Sequence, residues 1–211
     1  MIVQTIDIKN WDRREIFDYF SSKENPFFSV TFPIDVTNLY RYVRKYHISF
    51  YYAMICVVTR SLNRTLQFRY GYEYGEIVLY DHRVPMFSDL RNGDDQFRII
   101  IVDSEDTDTK EFAARAKEVA ETQQAFYIPD TTRQDMIYIT CVPWVELTSY
   151  SWHGDNNRDD MVPRIAWGKI TTTEDGHRRL NISVQANHRL IDSYHIGELY
   201  TEMERYIVSL Y

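Results

Sequence analysis

His188 and Asp192 are the two residues of this 211-residue chain whose types and spacing most directly suggest chemistry. A neutral imidazole, with an ordinary pKa of about 6.5, can take a proton from a hydroxyl near pH 7. A carboxylate four residues on can orient the ring or carry an ion pair. The spacing is unspecific by itself, because a lone histidine is more often a surface or satisfied core residue than a base. Its setting is more informative. Residues 180–186 (LNISVQA) alternate apolar and polar, the period-2 pattern of a strand with one covered face. Asp192 and Ser193 are good helix-capping types, and Tyr194, Ile196, Leu199, Met203 and Ile207 keep helical spacing up to Leu210. His188 is thus predicted on a strand-to-helix connection, where rigid elements can present it to a cleft.

The elements that must position it read as follows. Residues 2–8 alternate as a first strand, and residues 11–20 form a short helix with an aromatic face, opened by Asn10 as a cap. Residues 27–36 (FFSVTFPIDV) read as a strand, and Pro33 near its end predicts an edge or a bulge. Helices are expected to about Tyr46, capped by Asp35 or Thr37, and over 49–63. Short β runs fill 69–86, with EIVLY the clearest, split by Gly71, Gly75 and Asp81-His82. After a turn at 91–95, FRIIIV (97–102) is the strongest β run. A helix over 109–124 follows, then a buried strand over 136–142 that Pro143 breaks. A polar loop at 154–160 precedes β structure within 163–173, and Asp175-Gly176 turns the chain into the strand that leads to His188.

Composition sets bounds. A chain 44% hydrophobic and 15% aromatic can bury a substantial core. Seventeen tyrosines and eleven phenylalanines suggest broad, partly polar walls: core, subunit interface or an aromatic pocket. A net charge of −7 with no basic stripe argues against a nucleic-acid partner. Cys56 and Cys141 lack metal-ligand spacing and read as small buried hydrophobes. The acidic run at 103–108 lacks the spacing and glycine of a calcium loop, so it reads as a solvated, dipole-complementing helix start, and no metal is expected. No run approaches the roughly 18 apolar residues of a membrane span. The first residues carry neither the basic start nor the apolar region of a signal peptide, so a soluble cytoplasmic chain is expected. With no repeat or linker in view, one domain is expected over 1–211.

Four segments together resemble the chloramphenicol acetyltransferase family. Asn187-His188-Arg189-Leu190-Ile191-Asp192-Ser193 resembles its HHxxxDG active-site motif, with Asn187 in place of the first His and Ser193 in place of the Gly. Trp11-Asp12-Arg13-Arg14 through Phe17 resembles its N-terminal Trp-x-Arg signature. Pro143-Trp144 through Ser149 resembles its Pro-Trp-x-x-Phe-x-Ser segment, with Leu147 in place of Phe. Gly168-Lys169 resembles its Gly-Lys strand, and Thr172 falls where the family commonly has a threonine near the reaction centre. The resemblance runs from Trp11 to the last helix. It implies an α+β fold of two layers, a mixed β-sheet with packed helices, assembled as a homotrimer. The acyltransferase core of 2-oxoacid dehydrogenase complexes has a similar motif but is a poorer match, since this chain has no lipoyl domain or linker.

The resemblance also implies a division of labour. His188 is the general base, and Ser149 is the donor to the reacting oxyanion. Thr172 is a supporting polar group. Asp192 pairs with Arg13 in a buried salt bridge and fixes the loop, instead of acting as a triad acid. Acetyl-CoA is a co-substrate, with no tightly bound cofactor, and the acetyl group goes directly to the acceptor. Cys141, beside Pro143, is the one residue that could offer a competing nucleophile. In the implied trimer His188 faces Ser149 of a neighbour. The acceptor pocket is expected from Tyr19, Phe20, Glu24, Pro26, Phe97 and Ile99, with Met161. A glutamate in that wall would be unlike the family's apolar one and would demand a polar or cationic partner. Three functions stay open: O-acetylation of chloramphenicol or a close mimic, the same chemistry on another small acceptor, and a non-catalytic trimer.

Overall fold

The computed structural model describes residues 1–91, 93, 95–105, 107–129, 134–152 and 157–210. Asn92 and Asp94 of the expected turn, Asp106 of the acidic run and residues 154–156 of the polar loop lie outside these. Ten strands and five α-helices follow one another: β1 (Ile2–Ile6), α1 (Arg14–Ser21), β2 (Phe27–Asp35), α2 (Thr37–Tyr46), α3 (Phe50–Arg64), β3 (Tyr70–Glu73), β4 (Glu76–Tyr80), β5 (Val84–Asp89), β6 (Arg98–Ile101), α4 (Thr109–Thr122), β7 (Met136–Cys141), β8 (Arg164–Trp167), β9 (Thr171–Thr172), β10 (Arg178–Asn187) and α5 (Ser193–Ser209). The fold is α+β.

The main sheet has seven strands in the order β2-β10-β8-β7-β5-β6, with β9 paired to β10. It is mixed: β5, β7 and β8 run parallel, and the other pairs are antiparallel. A small antiparallel sheet, β1-β4-β3, stands beside it. Pro33 lies in β2, at the edge of the main sheet, where a missing N–H costs no ladder bond. β6, the strongest apolar run, is the opposite edge, and α4 covers it.

The helices pack on this sheet. α3 is apolar nearly all round, and Ala53 to Val58 are all fully buried, as a central helix requires. It touches α2, α4, α5 and β5, while α5 lies on β2 and α2 on β10. Arg83 is the one fully buried cation among the described residues with no carboxylate partner. It donates instead to four main-chain carbonyls, those of Phe68, Tyr70 (2.5 Å), Met136 (2.9 Å) and Met161 (3.3 Å). Burial lowers its pKa to about 10, which leaves it charged at neutral pH. No helix among the described residues is long and apolar enough to cross a membrane.

Candidate active site

β10 is ten residues long and pairs with β2 along nearly its whole length, which fixes where the chain leaves the sheet. His188 is the first residue beyond it. Its N–H donates to the Pro26 carbonyl (2.8 Å). Its ring stacks on Phe20 at 4.1 Å and 3° and tilts against Phe28 at 4.4 Å. Tyr19 meets the Phe20 edge at 5.1 Å, though it is itself exposed. Three of the expected pocket residues, Tyr19, Phe20 and Pro26, are thus gathered at the imidazole. Phe28 was not anticipated; only the β2–β10 register, which sets it opposite Ala186, brings it there.

Asp192 is the N-cap of α5 and uses both carboxylate oxygens. Oδ2 accepts from Arg13 Nη1 at 2.6 Å, and the two side chains are 28% and 12% exposed, so the expected salt bridge is present and mostly buried. Oδ1 lies 3.1 Å from His188 Nδ1. A carboxylate can only accept, so the imidazole donates Nδ1–H and keeps the Nε2 lone pair for a substrate proton. Burial works to raise the Asp192 pKa, but the hydrogen bond and charge of Arg13, with His195 and His188, hold it below the ordinary 3.8. A direct Asp192–His188 contact goes beyond the role that the sequence resemblance implied for Asp192.

The two replacements in the motif have plain structural accounts. Asn187 is buried, and its amide is fully engaged: Nδ2 donates to the Arg158 (2.9 Å) and Asp160 (3.1 Å) carbonyls, and Oδ1 accepts from Arg189 N–H (3.1 Å). Ser193 opens α5 without strain, because the non-glycine residues with positive φ among those described are His47 and Tyr74.

The other expected residues lie elsewhere. Thr172 pairs with Arg178 at the start of β10. His188 is ten residues further on, so at about 3.3 Å per residue the two are about 30 Å apart. Ser149 lies two residues after Leu147, whose carbonyl accepts from Asn181 Nδ2 at 2.7 Å. Asn181 is itself about 20 Å from His188 along the strand. Phe97 and Ile99 are at that far end too, since Ile99 pairs with Ser88 near the end of β5, away from Val84. They line an open cleft of about 2050 Å³, together with Cys141, Pro143, Trp144 and Lys169. Glu24 is exposed and makes no hydrogen bond or ion pair among the described residues. Met161 is buried beside Arg83, at a separate polar cavity of about 390 Å³. One chain therefore brings His188, Asp192, Arg13, Tyr19, Phe20 and Pro26 together, and leaves Ser149, Thr172, Phe97 and Ile99 at the other end of the sheet.

Two further groups bear on the chemistry. Burial pushes the Cys141 thiol up to about 12, so it is not a thiolate at neutral pH. Asp81, His82 and Glu105 each bring a ligand atom within 4.8 Å of the others, and could hold a small cation. Both carboxylates are exposed, Asp103 takes His82 Nε2 at 3.0 Å, and nothing among the described residues bonds the cluster to His188.

A strand-to-helix histidine and an ion-paired helix cap thus sit at one end of a mixed sheet in an α+β fold. The family model "Chloramphenicol acetyltransferase" matches residues 1–204, and the chain belongs to that family. A chloramphenicol acetyltransferase of Escherichia coli is 26% identical over 203 residues, 96% of this chain and 92% of the relative. One of Staphylococcus aureus is 30% identical over 196 residues, 91% and 89% of the two chains. A solved chloramphenicol acetyltransferase structure superimposes with a TM-score of 0.87 at 23% identity, covering 97% of this chain and 99% of its own.

Proposed function

We propose that the protein transfers an acetyl group from acetyl-CoA to a hydroxyl of chloramphenicol or a closely similar acceptor, with His188 as general base. His188 Nε2 takes the hydroxyl proton as the oxygen attacks the thioester carbonyl. Ser149 donates to the tetrahedral oxyanion, and Thr172 supports it. As the intermediate collapses, the proton passes to the coenzyme A sulfur, and no acyl-enzyme forms. Asp192 and Arg13 hold the base in one tautomer and one orientation. Holding the two substrates together can supply up to about 7–11 kcal/mol of the barrier.

The observation that carries this reading is the separation of the two half-sites along β10. In one chain His188 is about 20 Å from Asn181, which holds the Ser149 segment through the Leu147 carbonyl, and about 30 Å from Thr172, so in this reading the base meets its oxyanion donor across two copies. A homotrimer of single-domain subunits fits that need. In it the His188 edge of one copy faces the Ser149 segment of the next, beside the cleft lined by Phe97, Ile99 and Tyr150. Acetyl-CoA brings its thioester to the neighbouring His188 through that cleft. The acceptor class is taken from the chloramphenicol acetyltransferases to which the chain is similar.

The test is coenzyme A release from acetyl-CoA, read as free thiol, with and without chloramphenicol, for wild type and His188→Ala, beside sedimentation of both. The expected result is a trimer whose chloramphenicol-dependent release falls by about 10²–10⁴ in His188→Ala. Binding of acetyl-CoA without release would overturn the acceptor and leave an acyltransferase for another small molecule. Neither binding nor release, or a monomer with full activity, would overturn the reading as a whole.

A further inference from the structure

His195 lies on the first turn of α5, three residues after the Asp192 cap, with only 7% of its side chain exposed. Its Nδ1 accepts the Asp192 main-chain N–H at 2.9 Å, and its own N–H donates to the Asp192 carbonyl at 3.0 Å. Asp192 is thus clasped at both its backbone groups by one residue. An N–H donor of a helix start that is left unpaired in a partly buried site is costly. The usual partner at this position is a glutamate or glutamine, whose side chain reaches back to the cap. A glutamate here would set a second carboxylate beside that of Asp192. A neutral imidazole supplies the acceptor without the charge.

This clasp matters because of what Asp192 holds on its other side. Its Oδ1 is 3.1 Å from His188 Nδ1, and the Oδ2 contact to Arg13 is 2.6 Å. Both depend on where the cap backbone points its side chain. We propose that His195 is a positioning residue for the reaction: as a neutral ring protonated on Nε2, it fixes the Asp192 backbone, and through the Asp192 carboxylate it fixes the tautomer and direction of His188. Burial, then the charge of Arg13, lowers the His195 pKa and keeps the ring in that neutral form. The inference rests on the reading of His188 as general base.

Two variants of the full-length protein separate positioning from mere stability. His195→Leu keeps volume and removes the acceptor, whereas His195→Gln restores an acceptor at the same place on the helix. The readouts are the kcat and KM of thiol release and the ¹⁵N shifts of the His188 ring, which report which nitrogen carries the proton. In His195→Leu, kcat is expected to fall by up to about 10²-fold, the loss typical of a small misplacement, with the KM for acetyl-CoA unchanged. The His188 signals should move from an Nδ1–H ring toward a tautomer mixture, and His195→Gln should restore both readouts. Wild-type kcat and His188 shifts in His195→Leu would overturn the proposal. So would an equal loss in both variants with His188 shifts unaltered, which would mark a stability role alone. If the wild type releases no thiol with any acceptor, the functional reading fails, and the ring shifts alone still decide whether His195 sets the tautomer.

Discussion

Asp192 Oδ1 stands 3.1 Å from His188 Nδ1 while Asp192 Oδ2 holds Arg13, so one carboxylate is both the anchor of an ion pair and the orienting partner of an imidazole. The two tasks are coupled: without Arg13 the carboxylate loses its counter-charge and its fixed direction together. Arg13→Ala is expected to destabilise the fold by about 3 kcal/mol, the low end for breaking a buried pair, because Asp192 keeps some contact with water. Urea unfolding of the variant measures this directly. A midpoint equal to that of wild type would show that the pair is solvated in solution.

The same cluster sets a pH dependence of stability. Burial and then Arg13 lower the His195 pKa, against the weaker pull of Asp192 and Glu198. A histidine with a lowered folded pKa binds fewer protons folded than unfolded. Its contribution is therefore complete above about pH 6.5 and declines as pH falls from there toward the folded value. Asp192 has its carboxyl held below 3.8, so its contribution is complete above that pH and is lost as pH drops through the folded value. Unfolding free energy should be level between about pH 7 and 8, decline below about 6.5, and fall again below about 4. His195→Gln should abolish the first decline and leave the second.

Gly168 shows how tightly the Ser149 segment is held. A Cβ built there would lie 2.6 Å from the Leu147 nitrogen and 2.8 Å from the Val145 carbonyl oxygen, both main-chain atoms that cannot swing aside. The neighbouring Lys169 N–H donates to that same Val145 carbonyl at 2.8 Å. Gly168→Ala should therefore cost about 1–3 kcal/mol in urea unfolding. It should also lower kcat in the thiol-release assay, since the loop carrying Ser149 is pushed off β8. Retention of both wild-type values would show that the loop is not seated this way.

Cys141 faces the cleft with its thiol pushed up to about 12 by burial. Cys141→Ser is expected to keep wild-type turnover. Iodoacetamide at pH 7.5 should leave Cys141 unmodified in the native protein and alkylate it after denaturation, as mass spectrometry can follow. Loss of activity in the serine variant would revive a thiol nucleophile.

Much of this fold could be read from local pattern. Alternation along 180–186 marked β10, Asp192 marked the start of α5, and Pro33 marked an edge strand, because each of these signals acts within a few residues. The pairing partners were not local. Phe28 reaches His188 only through the register of β2 on β10, and Arg83 is satisfied by carbonyls from three distant stretches of chain. His195 sat in view three positions past a cap, yet the ordinary reading of that position looks for glutamate or glutamine. The motif marked His188 and Asp192, whereas Phe28 against the ring was not anticipated. The separation of His188 from Ser149 and Thr172 depends on how far β10 runs, which no spacing in the sequence states. Glu24, expected in the pocket wall, is exposed, as the turn-rich run from Ser21 to Pro26 in which it lies would allow.

Arg83 has a consequence for how the molecule comes apart. Its guanidinium ties Tyr70, in the small sheet, to Met136, in the large one, and reaches Met161 in the stretch before β8. No one of these segments can peel away without stranding a buried cation and a carbonyl at once, a penalty much larger than a single lost hydrogen bond. Partial unfolding is thereby made expensive, and the two sheets are bound into one cooperative unit. The cleft and the His188 corner, at opposite ends of β10, then stay in register until the whole chain lets go.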